Sequence, residues 1–167
     1  MYVLPQRKNT RLQAYDYSSA GAYFITICTE SRRTILSRIV GGGVLDAPHT
    51  VLSQYGKIAE KYIKQLDDFY DDIAVDSYVI MPNHIHIMVS VSENGASGTP
   101  PPTKQYSVIS RFVSTFKRFC NKEYGENIWQ RSFYDHIIRN QKDYEEHLRY
   151  IYENPFKWES DSLYLQM

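Results

Sequence analysis

The residues with chemistry to offer are His84 and His86, inside Tyr78–Val91, which reads Y-V-I-M-P-N-H-I-H-I-M-V-S-V. Side chains alternate between faces along a strand, so two histidines separated by one residue project from the same face. Ile85, Ile87, Val89 and Val91 then take the opposite, core-facing side. Two imidazoles side by side on a rigid strand make half of a divalent-metal site, if a third ligand arrives from elsewhere. Two partly buried structural histidines fit the same pattern, so the pair by itself leaves both readings open.

A partner is available near the C-terminus, where the chain from Lys142 reads K-D-Y-E-E-H-L-R-Y-I-Y-E-N-P. At about 100° per residue, Tyr144, Leu148, Ile151, Tyr152 and Pro155 share one side of a helix, the natural docking face. Tyr150 and Asn154 fall together off that stripe, one turn apart. An amide oxygen can ligate a hard cation, and a phenol one turn away would sit beside it. The same two residues also read as a surface tyrosine and a C-terminal cap. Asn154 precedes Pro155, which disfavours helical geometry at that position.

Several elements must hold these residues. Tyr23–Thr29 is β-branched and aromatic and predicts a strand. Val51–Ile73 carries apolar residues at helical spacing and predicts an amphipathic helix. Val75–Met81 and His84–Val91 are two strands joined by a tight turn at Pro82-Asn83. Ser107–Tyr124 is a second amphipathic helix, with Ile109, Phe112, Val113, Phe116, Phe119 and Cys120 on one face. A fourth strand spans Ser132–Ile138, and a last helix runs from about Lys142 to Asn154, ended or kinked by Pro155. This order predicts an α+β fold, a ferredoxin-like split βαβ antiparallel sheet with helices on one face. The opposite face is left for a site, with the histidines central on it and the C-terminal helix as an addition.

Bulk properties narrow the setting. The chain has 167 residues, 43% of them hydrophobic, enough for one domain with a real core. Residues 1–21 read as a basic N-terminal arm, Gly41 to Gly43 as a flexible loop, and Ser92 to Lys104 as a linker inside the domain. The 19 Lys and Arg balance 19 Asp and Glu, so no global field advertises a polyanion, although a local basic patch is compatible with this. Arg7, Lys8, Arg11, Arg111, Lys117 and Arg118 are the candidates for phosphate contacts, each weighed against a plain solvated charge. His136 either contacts DNA, supports the site or is a satisfied core histidine, and Asp135, on the other face of that strand, is a lesser metal candidate. Cys28 and Cys120 lack metal-like spacing and fit a reduced, cytoplasmic setting. No apolar run is long enough to span a bilayer.

The stretches M-P-N-H-I-H-I-M-V, I-W-Q-R-S-F-Y-D-H-I-I-R-N and Y-I-Y-E-N-P-F-K-W occur in that order. Together they resemble the REP-associated tyrosine transposases, compact relatives of the single-tyrosine insertion-sequence transposases in the HUH endonuclease superfamily. The resemblance runs from about Tyr15 to Trp158. It implies a ferredoxin-like domain that cuts and rejoins single-stranded or hairpin DNA with a divalent metal and a nucleophilic tyrosine. By the family's pattern His84 and His86 are the paired metal ligands and Tyr150 the nucleophile. Asn154 is then the third ligand, where related insertion-sequence enzymes often carry Gln. The ligand set does not choose between Mg²⁺ and Mn²⁺. The resemblance further implies a covalent 5′-phosphotyrosine intermediate, which keeps the phosphodiester energy, so no nucleotide cofactor is needed. Gly41 to Gly43 indeed lack the Lys-Ser/Thr of a P-loop. A homodimer with exchanged tyrosine helices and a self-sufficient single chain are both compatible with the family. The alternative function is a catalytically idle DNA- or RNA-binding regulator on the same scaffold.

Overall fold

The computed structural model describes residues 20–43, 46–92 and 107–164. Arg7, Lys8 and Arg11, with most of the N-terminal arm and of the internal linker, lie outside the described residues. The elements are β1 (Gly21–Cys28), β2 (Ser37–Val40), β3 (His49–Leu52), α1 (Gln54–Phe69), β4 (Ile73–Ile80), β5 (His84–Val91), α2 (Val108–Tyr124), β6 (Tyr134–Ile137) and α3 (Gln141–Glu153). A 3₁₀ segment, Asn154–Ser160, continues directly from α3.

The main sheet is antiparallel with strand order β4-β5-β1-β6. This is the ferredoxin-like arrangement, in which β1 and β5 occupy the centre and α1 and α2 cross over one face. Alternation along the strands divides the chemistry. Tyr23, Ile25 and Ile27 of β1 and Ile85, Ile87 and Val89 of β5 join Phe112, Phe116 and Trp129 in the main core beneath α1 and α2. Phe24 and Met88 point to the other face, where they pack with Val79, Met81 and Ile151.

That second face is not left open. α3 and the 3₁₀ segment cover it, with Tyr144 and Trp158 packed against the second core. This is why β5 is buried on both sides, and why His84 is fully buried and His86 only 3% exposed.

Three boundaries differ from the sequence reading. A short hairpin, β2 paired with β3, precedes α1 and absorbs Val51. Helix α1 begins only after Ser53, whose hydroxyl accepts from the Gly56 amide as an N-cap. At its far end Ile73 belongs to β4 and Phe69 is 68% exposed, so neither extends the buried helical face. The strands of the hairpin are too short, and too mixed in polarity, to register as period-two runs beside the glycine loop that joins them.

Helix α3 docks through a different arc from the one its apolar residues suggest. Tyr152 is 81% exposed, whereas Ile151 and Asn154 are buried. Asn154 keeps right-handed helical angles, φ −55° and ψ −43°, despite the following Pro155. The chain tolerates this because Pro155 falls at the start of the 3₁₀ segment, where its missing N–H removes no bond the segment needs. The turn carries Asn154 inward instead of releasing it at a frayed helix end.

Candidate active site

Strand register builds the site as rows of side chains on one face. His86 lies opposite Thr26, which in turn lies opposite Tyr134, while Cys28 lies opposite His84. Each imidazole is oriented through Nδ1. His84 Nδ1 is 2.7 Å from Asn83 Oδ1, an obligate acceptor, so that nitrogen carries the proton and donates it. Asn83 is held in turn by its own amide, which donates to the Leu163 carbonyl at 2.9 Å. His86 Nδ1 is 2.8 Å from Thr26 Oγ1. Both Nε2 atoms are buried with no protein partner.

Asn154 Oδ1 is likewise buried with no protein partner. The Asn154 amide nitrogen donates to Asp161 Oδ2 at 3.0 Å, which orients the side chain and leaves the oxygen free. Tyr150 donates its hydroxyl to the same Asp161 oxygen at 3.1 Å. Its ring meets His86 edge-on, with centroids 5.2 Å apart, and lies 5.9 Å from the ring of Phe24. Tyr150, Asn154, His84 and His86 therefore come together within one chain.

Burial sets the charge state. It lowers the pKa of His84 to about 4, against a weaker raising influence from Asp161, and holds His86 well below the ordinary imidazole range. Both are neutral at pH 7, the form that can offer a lone pair. Tyr150 moves the other way, up to about 12, first through burial and then through Asp161. A histidine whose folded pKa is depressed gives stability that is present above pH 6.5 and lost as pH falls toward 4. The Tm of the metal-free protein should accordingly fall across pH 6.5 to 4. A flat profile there would mean that these imidazoles are not held neutral.

These residues fit a divalent ion. Buried polar atoms are almost always paired, and an unmet one costs about 1–3 kcal/mol. Ligand atoms of His84, His86 and Asp161 lie within 4.8 Å of one another, and the Asn154 side chain, with its bare oxygen, is bonded to that carboxylate. Imidazole nitrogens and hard oxygens are donor types such an ion uses. Hydrogen bonds to the far nitrogens of the histidines are the outer shell that fixes ligand geometry.

Sequence reading missed Asp161. One ligand atom from each of Asp161, His84 and His86 lies within 4.8 Å of the others. No motif marks it, because it becomes part of the site only when the 3₁₀ segment folds the chain back. Asn83 had been read as a turn residue and Thr26 as part of a strand. Thr26 meets its imidazole through adjacency on the sheet, and Asn83 meets His84 as its chain neighbour, turned by the bond from its amide to the Leu163 carbonyl.

The remaining candidates are placed elsewhere. His136 is not a core residue. Its ring stacks on His147 at 4.5 Å, and its Nε2 is 3.0 Å from Asp143 Oδ2. Asp135 joins neither ligand cluster among the described residues. Arg111, Lys117 and Arg118 lie on α2, across the sheet from the histidines. Arg111 pairs with Asp72 at 2.9 Å. The Lys117 ammonium donates to the carbonyls of Gln130, Arg131 and Ser132, at 2.7, 3.4 and 3.0 Å, and so braces the approach to β6. Burial lowers its pKa to about 8. Cys28 and Cys120 are free and buried, and among the described residues no helix is long and apolar enough to cross a membrane.

No protein-family model matches the chain. An uncharacterised protein of Haemophilus influenzae is 30% identical over 174 residues, covering 95% of this chain and 93% of that protein. A second H. influenzae protein, named "Putative REP-associated tyrosine transposase", is 30% identical over 85% of this chain and 74% of its own length. The REP-associated tyrosine transposase of Escherichia coli is 28% identical over 84% of this chain and 70% of its own. Among solved structures, a REP-associated tyrosine transposase bound to a REP hairpin superposes with a TM-score of 0.64 at 24% identity, over 89% of this chain and 73% of that one.

The fold is thus a transposase fold. The chain belongs to the family of REP-associated tyrosine transposases.

Proposed function

We propose that this chain is a metal-dependent transposase that cleaves and rejoins single-stranded DNA through a covalent 5′-phosphotyrosine. The observation that carries this reading is the meeting of Tyr150, hydrogen-bonded to a carboxylate, with three bare, buried donor atoms of His84, His86 and Asn154. A divalent ion held there, Mg²⁺ or Mn²⁺, would supply Lewis-acid polarisation of the scissile phosphate.

The protein's own groups do the rest. Tyr150 Oη attacks phosphorus in line while its proton passes to Asp161 Oδ2, the oxygen it already faces. The bond from phosphorus to the 3′ oxygen breaks as the bond to Oη forms, and the departing oxygen takes a proton from water. One phosphodiester has been exchanged for a phosphotyrosine ester, so attack by a new 3′ hydroxyl reseals the strand without a nucleotide cofactor. A phenol with a pKa near 12 is a poor nucleophile at pH 7, which is why the adjacent acceptor matters.

A hairpin with single-stranded flanks is the proposed partner. The solved relative is bound to a REP hairpin, and that supports this choice. Arg7, Lys8, Arg11, Arg111 and Arg118 remain proposed phosphate contacts, with Arg111 and Arg118 across the sheet from the reacting bond, whereas the ammonium of Lys117 is committed to carbonyls. The meeting of Tyr150 with His86 of its own subunit supports a site completed within one chain. An idle nucleic-acid-binding scaffold gives no reason to keep three costly unpaired atoms together, because apolar replacements there would be neutral or stabilising.

The test is incubation with Mn²⁺ or Mg²⁺ and single-stranded or hairpin DNA, followed by SDS electrophoresis. A protein–DNA adduct that resists SDS and vanishes with chelator is expected. Tight binding without any adduct, indifferent to chelator, would favour the regulator.

A further inference from the structure

Beside Tyr150 the sheet face opens into a cavity of 580 Å³ whose walls include Phe24, Tyr134, His147 and Tyr150, with His86 among its lining. Its size is that of a small-molecule site, and its walls are mostly aromatic. Tyr134 stands in the same cross-strand row as Thr26 and His86 and is 53% exposed, a large ring on the face of the sheet with little protein covering it.

Another part of the wall is held by stacked rings. The ring of His147 stacks on that of His136 at an interplanar angle of 16° and leans on Phe24, with centroids 4.8 Å apart. Asp143 grips both imidazoles, 3.0 Å from His136 Nε2 and 3.0 Å from His147 Nδ1. His147 Nδ1 also reaches the Asp143 carbonyl at 2.9 Å, so its Nε2 is the nitrogen left for a ligand. A wall ordered in advance lowers the entropic cost of binding a flat group.

Whatever fills this space lies against the nucleophile. On a DNA strand whose phosphate is at Tyr150, the flat group within reach is the base on one side of that phosphate. A base in single-stranded DNA unstacks at little cost, and aromatic side chains bind it through its faces. The cavity lining also includes Glu146, whose exposed carboxylate, 3.9 Å from the Lys142 ammonium, is an acceptor suited to an exocyclic amine such as cytosine N4.

We propose that the cavity beside Tyr150 receives one unstacked nucleobase next to the scissile phosphate and prefers a base that carries an exocyclic amino group. This rests on the reading of Tyr150 as the nucleophile on single-stranded DNA.

The experiment measures the rate of adduct formation on strands that are native, abasic or thymine-substituted at each position flanking the cleavage site. Wild type, Tyr134→Ala and Glu146→Gln are compared. At one flanking position the abasic strand should react about tenfold more slowly, the order expected from losing one stacked base. Tyr134→Ala should slow the native strand to a similar degree and add little to the abasic defect. Glu146→Gln should narrow the preference for cytosine over thymine there. A 2-aminopurine at the same position should be quenched on binding to Tyr150→Phe, and the quenching should be relieved when Tyr134→Ala is added.

Abasic strands that react at the native rate at both positions, or a Tyr134→Ala defect equal on native and abasic strands, would overturn the base pocket. An unchanged cytosine-to-thymine ratio in Glu146→Gln would overturn the amino-group preference. Failure of wild type to form an adduct on any strand, or an adduct undiminished in Tyr150→Phe, would instead defeat the reading of the reaction itself.

Discussion

Tyr150→Phe will form no SDS-resistant adduct with DNA, while still folding and still binding the same DNA. The chain has 15 tyrosines, so the prediction discriminates sharply. Removing the hydroxyl deletes the attacking atom and its hydrogen bond to Asp161 but keeps the ring beside Phe24 and His86. The packing therefore survives. Loss of a nucleophile that works with an adjacent base costs on the order of 10⁵-fold or more in rate, which puts the product below detection. Tyr152→Phe is the control, because that ring is 81% exposed, and it should behave as wild type. A normal adduct yield in Tyr150→Phe would move the nucleophile to another residue, and Tyr134, which lines the same cavity, would be the first to examine.

The second large effect concerns the ion. Mn²⁺ at about 100 times its Kd should stabilise the wild-type protein by about 2.7 kcal/mol, or by roughly 5–10 °C in Tm for a domain of this size. His84→Ala and His86→Ala should each abolish most of that shift and the adduct with it. Each variant removes one of only two imidazole donors, and the other donors cannot move to replace it. Asn83 and Thr26 hold the remaining ring from behind, and Asp161 ties Asn154 in place. Differential scanning fluorimetry with and without Mn²⁺ reads this independently of DNA cleavage. A shift that persists in both variants would place the ion elsewhere, and the cluster of His136, Asp143 and His147 would be the next group to mutate.

The parts of the fold that were legible in the sequence share one physical property. β1, β5 and α2 are long enough for their apolar period to repeat, and each packs against a continuous core, so local pattern and tertiary burial agree. The β2–β3 hairpin was not legible, because strands of four residues at the rim of the molecule carry too few periods. Helix α3 was legible as a helix but not in its docking arc. Its inward side includes the half-buried His147 and the buried Asn154, polar residues placed by the rings of Phe24 and His136 on other strands and by Asp161 beyond the helix. Hydrophobic periodicity has no access to that.

By itself the sequence determined the histidine pair and its common face, since alternation along a strand is a local property of the backbone. It also determined that Tyr150 and Asn154 share one flank of a helix, and its ordered motifs pointed to the transposase family. The tertiary structure alone decided what those residues do to one another. It turned Asn154 inward through a helical turn that its proline neighbour disfavours, and it returned Asp161 along the chain to lie under the Tyr150 hydroxyl. It also braced each imidazole through one nitrogen and left the other bare. Some of these relations join residues far apart in the chain, as Thr26 and His86 are, and others join near neighbours that a local pattern does not orient. Their energies depend on burial and on partners that exist only once the layers have closed on both faces of the sheet.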